Sequence, residues 1–496
     1  MPALRFTPVL SYGRYALSRR GNTIAIVIVS LLLTCLTLHW CYSAKIICGG
    51  PPFFPDGRSH HWPVGDPNAA IPCYSDLMYL WVGRDINNHV FPYIHGGIGA
   101  DGKLFGGVVE YPVLSGMLMY LGAIGAHTDT QFFTHSVWLL VPFGLATTVA
   151  LALLTRWWSL LWAATPPLVL YAFHNWELPV VATSVGAVAV LAWGATINPR
   201  TGTPRLTLRV SAIIAAVLLA IGFCLKLYPG FFVLPLAVYV LTGGGTGRAP
   251  AAGTADQPRD QRAAPGGDTT RALDWAGAIW VAAAAAITVA AIQLPFILLG
   301  FDGWKAALSF QGKRKSEVDT NSIWYWGLRH FTGGQTDTYN SLVGLASPTL
   351  IVCAFAFAVW LGWRRYQQSG EYPWIGVSAA MLAGFMLFHK VHSPQYTLWI
   401  LPFFVLLRVW WPLIAAYLLA DVCLDLTIFR LFGIYTSHSP MQWWVMTGVN
   451  IGVWVTAAIH AVLIVGFIRA PLREPLASIG RPRPQQSPDL ILSQAQ

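Results

Sequence analysis

Four arginines, Arg5, Arg14, Arg19 and Arg20, precede an apolar run from Thr23 to Trp40. About 20 such residues cross the ~30 Å hydrocarbon layer as a helix, and in lipid a helix is what satisfies every backbone amide within its own segment. Eleven further apolar runs lie near 135–155, 158–176, 178–196, 210–226, 229–242, 275–299, 346–363, 374–390, 396–408, 409–425 and 443–468. Charged residues make up 10% of the chain and hydrophobic ones 55%, where soluble domains carry about 25% charged residues. The pattern predicts an all-α polytopic membrane protein with about 12 transmembrane helices and excludes a soluble enzyme.

The formal charge of +10 is read through its distribution, because membrane proteins keep basic residues on the cytoplasmic side. The segment Tyr111–His127 is apolar, yet counting it as a full span would put Arg156, Arg200, Arg205 and Arg209 outside. It is therefore expected to be an outer-face loop helix. With that choice 19 of the 31 basic residues face inward, all of them arginine, and all seven lysines face outward. Both termini are then cytoplasmic, the first run is a retained signal anchor, and the protein sits in the plasma membrane as a multi-pass protein. The charge calls for no nucleic acid.

Residues 1–470 read as one transmembrane domain. Segments 243–272 and 471–496 are rich in Gly, Ala, Pro and Arg, a composition that buries no core, and are expected to be disordered and cytoplasmic. The outer loops 43–110 and 300–345 mix aromatic, charged and turn residues, which predicts folded loops and places function there.

Seven cysteines show no zinc-type spacing, and no metal or cofactor is called for. Cys48 and Cys73 share the first outer loop, where a disulfide is permitted. Gly97–Lys103 has the spacing of a phosphate loop, but Leu104 stands where Ser or Thr is required.

Four constellations carry chemistry. Asp76 in Tyr74–Asp76 and Glu110 in Glu110–Leu114 are two carboxylates in one outer loop, suited to acid/base catalysis, although composition alone favours the simpler role of capping the helices they precede. Lys226 in KLYPG and Lys390 in HKVHSPQY, with His392 beside it, end two apolar runs at the outer boundary. They suit a lipid-borne phosphate or snorkel to headgroups. Trp324, Trp326 and Arg329 combine faces that stack on sugars with a phosphate-binding cation, or form an interfacial belt. Asp421 and Asp425, one turn apart, suit a polar cavity, a metal or a proton path, or a helix end fraying at the membrane edge.

The motifs YSD, FPY, EYPVL, KLYPG and KVHSPQYTLWILP, in this order along residues 20–470, resemble the GT-C class of membrane glycosyltransferases and in particular glycosyltransferase family 87, the actinobacterial polyprenyl-phosphate-mannose-dependent mannosyltransferases. The resemblance implies a GT-C-like fold and an inverting transfer of a hexose, mannose in the family, from a polyprenyl-phosphate donor. The acceptor is a cell-envelope glycolipid or polysaccharide at the outer face of the plasma membrane. It implies Asp76 as the base and Lys226, Lys390 and His392 at the donor phosphate. The residues themselves add Glu110 beside Asp76, Arg329 at the phosphate, and Tyr74, Trp324, Trp326, Gln395 and Tyr396 at sugar and acceptor. Where the best-known members carry Ser-Pro and then a tryptophan-histidine stretch, this chain has Ser393-Pro394-Gln395-Tyr396. The alternative function is a membrane carrier or lipid flippase of envelope biogenesis.

Overall fold

The computed structural model describes residues 9–60, 73–244 and 273–479. The expected disordered segments fall largely outside these: 245–272 and 480–496 are not described. Residues 471–479 pair with the main body through a Leu407–Leu472 bridge and end in the short turn Leu476–Ser478.

Among the described residues, eight helices are long and apolar enough to cross a membrane: Gly21–Ile46, Asp129–Ala163, Glu177–Ala195, Leu208–Leu225, Trp275–Leu299, Asp337–Ser369, Trp411–Ser437 and Trp443–Arg469. Four shorter apolar helices, Val113–Ala123, Tyr228–Leu241, Trp374–Phe388 and Pro394–Leu406, accompany them. The protein is an all-α polytopic membrane protein. Its small β content includes a hairpin pairing Gly97–Ile98 with Leu104–Phe105, and this hairpin, tightened by Asp101 accepting from the Lys103 amide, is what the GIGADGK stretch forms.

Val113–Ala123 has 11 residues, about 16 Å at 1.5 Å per residue, too short to cross. Eleven of the twelve expected spans have a helical counterpart, and 158–176 does not. It breaks into Leu160–Ala163 and Pro166–Tyr171 followed by a turn, because Pro166 and Pro167 lack amide hydrogens and hold Thr165 in an extended conformation. The run expected to end at 425 continues to Ser437. Asp421 and Asp425 are consequently 2% and 0% exposed, inside the helix and away from any fraying end.

Arginines mark one end of the bundle. Arg209 pairs with Asp274, Arg365 donates to the Ile468 carbonyl, and Arg473 lies over Trp158. At the other end the loops fold onto the helix tips. The disulfide Cys48–Cys73 closes the first loop, and Ser59 donates from its amide and hydroxyl to the buried Asp129 carboxylate at 2.8 and 2.7 Å. Tyr93 of the FPY motif donates to the Tyr111 carbonyl at 3.0 Å. Gly303 lets the second loop's helix press on that tyrosine, since a Cβ there would sit 2.1 Å from the Tyr93 carbonyl oxygen.

Candidate active site

Asp76 opens the short helix Asp76–Gly83, but Ser75 caps it, its hydroxyl accepting from the Leu77 amide. The Asp76 carboxylate, relieved of capping, accepts from the Tyr74 hydroxyl at 2.6 Å and from Asn175 Nδ2 at 2.6 Å. Asn175 also donates to the Tyr111 hydroxyl at 2.7 Å. The segment between two apolar runs thus turns polar side chains onto the first loop, and the Asp76 amide bonds to the His174 carbonyl. Burial pushes the half-buried Asp76 carboxyl above its ordinary range; the Tyr74 hydroxyl opposes this, Glu110 adds to it, and Lys226 and Asn175 pull it down again. A carboxylate so placed accepts a proton more readily than a solvated one.

Glu110 is engaged differently. Arg84 grips it with two bonds of 2.7 and 3.1 Å, both side chains being largely buried, and caps no helix, since the Val113–Ala123 helix starts at Pro112 without a side-chain cap. Lys226 ends the Leu208–Leu225 helix, 7% exposed, and donates to Glu177, which also accepts from Trp399 Nε1. Three rings surround its ammonium: Tyr111 at 5.0 Å, Trp399 at 5.4 Å and Tyr396 at 5.8 Å. Tyr396 stacks on Trp399 at 3.7 Å.

Of the residues singled out in the sequence, Asp76, Tyr74, Lys226 and Tyr396 come together, with Glu110 close enough to act on Asp76. Lys390 reaches the rim, bonded to the Gly312 carbonyl at 2.8 Å, and Arg314 is near enough to act on it and on Tyr396, Tyr111 and Glu110. The others lie beside this cluster or away from it. His392 turns Nδ1 to the Met386 carbonyl, and its ring sits 5.5 Å from that of His460 and 5.8 Å from that of Tyr396. Arg329 covers Tyr325 at 3.9 Å. Trp324 bonds to the Phe388 carbonyl, Trp326 packs with the Trp411–Ser437 and Trp443–Arg469 helices, and Gln395 is buried.

Sequence reasoning gave no role to Tyr111, Asn175, Glu177 and Trp399, and touched Arg314 only as part of the basic run Lys313–Lys315. Glu177 carried a signal, being the one acidic residue between positions 130 and 255. Among the described residues no group of three or more His, Cys, Asp or Glu is arranged to hold a metal. A cavity of about 400 Å³ lined by Arg365, Tyr372, Trp374 and Leu472 lies at the arginine end, away from the carboxylate cluster. The chemistry therefore locates the candidate site better than cavity size does.

No protein-family model and no curated protein matches the chain. Among solved structures it is similar to the apo crystal structure of the Archaeoglobus fulgidus oligosaccharyltransferase, with 11% identity and a TM-score of 0.36 over 95% of this chain and 59% of that one. The chain thus spans less than two thirds of that protein's length.

Proposed function

We propose that this protein is a membrane glycosyltransferase of the GT-C type that moves a hexose from a polyprenyl-phosphate donor to a hydroxyl of an envelope glycolipid or polysaccharide, with Asp76 as the general base. The observation that carries the reading is the Asp76 carboxylate, freed from capping by Ser75 and oriented by Tyr74 and Asn175. In the transfer, the acceptor oxygen bonds to the sugar's anomeric carbon as the bond from that carbon to the phosphate oxygen breaks. Asp76 takes the acceptor's proton, and attack opposite the leaving phosphate inverts the centre.

The leaving phosphate regains charge as the bond breaks, so positioned cations lower the barrier. Lys226 is already matched to Glu177. The pair Arg314 and Lys390, the former in a half-exposed ion pair with Asp319 at 3.4 Å and the latter held by a neutral carbonyl, supplies the phosphate contact. Lys226 then sets the field beside Asp76 and presents the Tyr111, Tyr396 and Trp399 rings. The disulfide in the first loop supports a site on the oxidising, outer side of the plasma membrane.

The test uses purified full-length protein in detergent with radiolabelled polyprenyl-phosphate mannose and extracted envelope lipids. Label appearing in a new glycolipid, with polyprenyl phosphate released, supports the reading. No transfer, combined with movement of the intact labelled lipid across liposomes containing the protein, overturns it in favour of a flippase.

A further inference from the structure

Asp421 and Asp425 lie one turn apart in the spanning helix Trp411–Ser437, 2% and 0% exposed. Thr397 donates to Asp421 Oδ1, while Asp421 Oδ2 and both oxygens of Asp425 have only the Tyr171 hydroxyl, at the limit of hydrogen-bond reach, as a donor. Two further buried atoms, His174 Nδ1 and His460 Nε2, also lack partners. The Tyr171 phenol is near enough to act on both carboxylates, its ring is 6.3 Å from that of His174, and Tyr417 joins Thr397 to the His460 ring.

Buried polar atoms are otherwise satisfied in folded proteins, and enclosed water is what commonly supplies the missing partners in a gathering of this kind. Two ionised carboxylates in such a place are expensive unless neutralised. Lys45, 1% exposed at the end of Gly21–Ile46, is the cation that acts on Asp425. It balances one carboxylate and leaves the other.

We infer that Asp421 and Asp425 form a hydrated intramembrane site that holds one exchangeable proton, carried mainly by Asp421 while Asp425 faces Lys45. The titratable groups around the pair are Lys45 and Cys41 from the first span, Tyr171 and His174 from the broken segment, Tyr417 on the same helix and His460 on the last. The site adjoins the Asp76 cluster. The His174 ring lies 5.4 Å from that of Tyr74, whose hydroxyl bonds Asp76, and Lys45 acts on both Asp425 and Asp76. A proton gained by Asp76 therefore leaves Lys45 to be balanced by the pair alone, which favours release of the stored proton.

Infrared difference spectroscopy of the full chain in nanodiscs, in ordinary and deuterated water, reads a protonated carboxyl separately from ionised ones. The wild-type protein is expected to show a protonated-carboxyl band at neutral pH that shifts in deuterated water. Asp421→Asn removes it, because Asp425 stays ionised against Lys45, whereas Asp425→Asn retains it. Lys45→Met raises it about twofold, since both carboxyls must then be neutral. A wild-type spectrum without the band overturns the inference whatever the variants do, and so does a band that survives Asp421→Asn.

Discussion

Asn175 Nδ2 stands 2.6 Å from Asp76 Oδ2 and 2.7 Å from the Tyr111 hydroxyl, while its own amide oxygen accepts from the Trp176 backbone. One fully buried amide thereby fixes both the carboxylate and the ring that roofs Lys226.

Donors to the ionised carboxylate lower its pKa, so removing one raises it. Asn175→Ala and Tyr74→Phe are each expected to move the acid limb of the transfer rate to higher pH by about one unit. The pH profile of initial rates checks this. Limbs that stay put in both variants would separate the limb from Asp76.

The buried pair Lys226–Glu177 lends itself to a double-variant cycle. Lys226→Met or Glu177→Gln alone leaves an uncompensated buried charge and is expected to cost roughly 3–5 kcal/mol, and the double variant clearly less than the sum. Thermal unfolding in detergent measures the cycle. Additive losses would mean that the two side chains do not depend on each other.

Removing the disulfide between Cys48 and Cys73, 25 residues apart, by Cys48→Ser/Cys73→Ser is expected to destabilise the first loop by roughly 3 kcal/mol through regained chain entropy. Limited proteolysis of the loop, compared with the helical body, reads the local effect.

His389 and His392 lie between helices and are both pushed down to about 4 from 6.5 by burial. The unfolded chain binds protons there before the folded one does, so stability falls as the pH drops from about 6.5 to 4, by up to about 1.4 kcal/mol per pH unit for each histidine. His392→Gln is expected to flatten that acid loss in a series of melting temperatures.

The apolar runs made most of the helices legible, because in lipid the backbone leaves few alternatives. The run at 158–176 misled, since hydropathy does not register that Pro166–Pro167 interrupts a helix. The polar turn this creates brings His174, Asn175 and Glu177 to the site. Asp76 was legible from its motif, whereas its companions come from distant segments and no spacing announces them. His392, two residues from Lys390, faces the His460 ring instead of the rim, and Trp324 and Trp326 fold inward as loop core. The identity of a side chain near a turn does not say which way the turn aims it.

Comparing Asp76→Asn with wild type in transfer from polyprenyl-phosphate mannose tests the central claim most directly. The asparagine keeps the shape and the Tyr74 contact but accepts no proton, and its own NH2 then faces that of Asn175. The variant is expected to stay folded with a modestly lowered melting temperature and to lose transfer by at least about 100-fold. Transfer within a few-fold of wild type would contradict the assignment of Asp76 as the base.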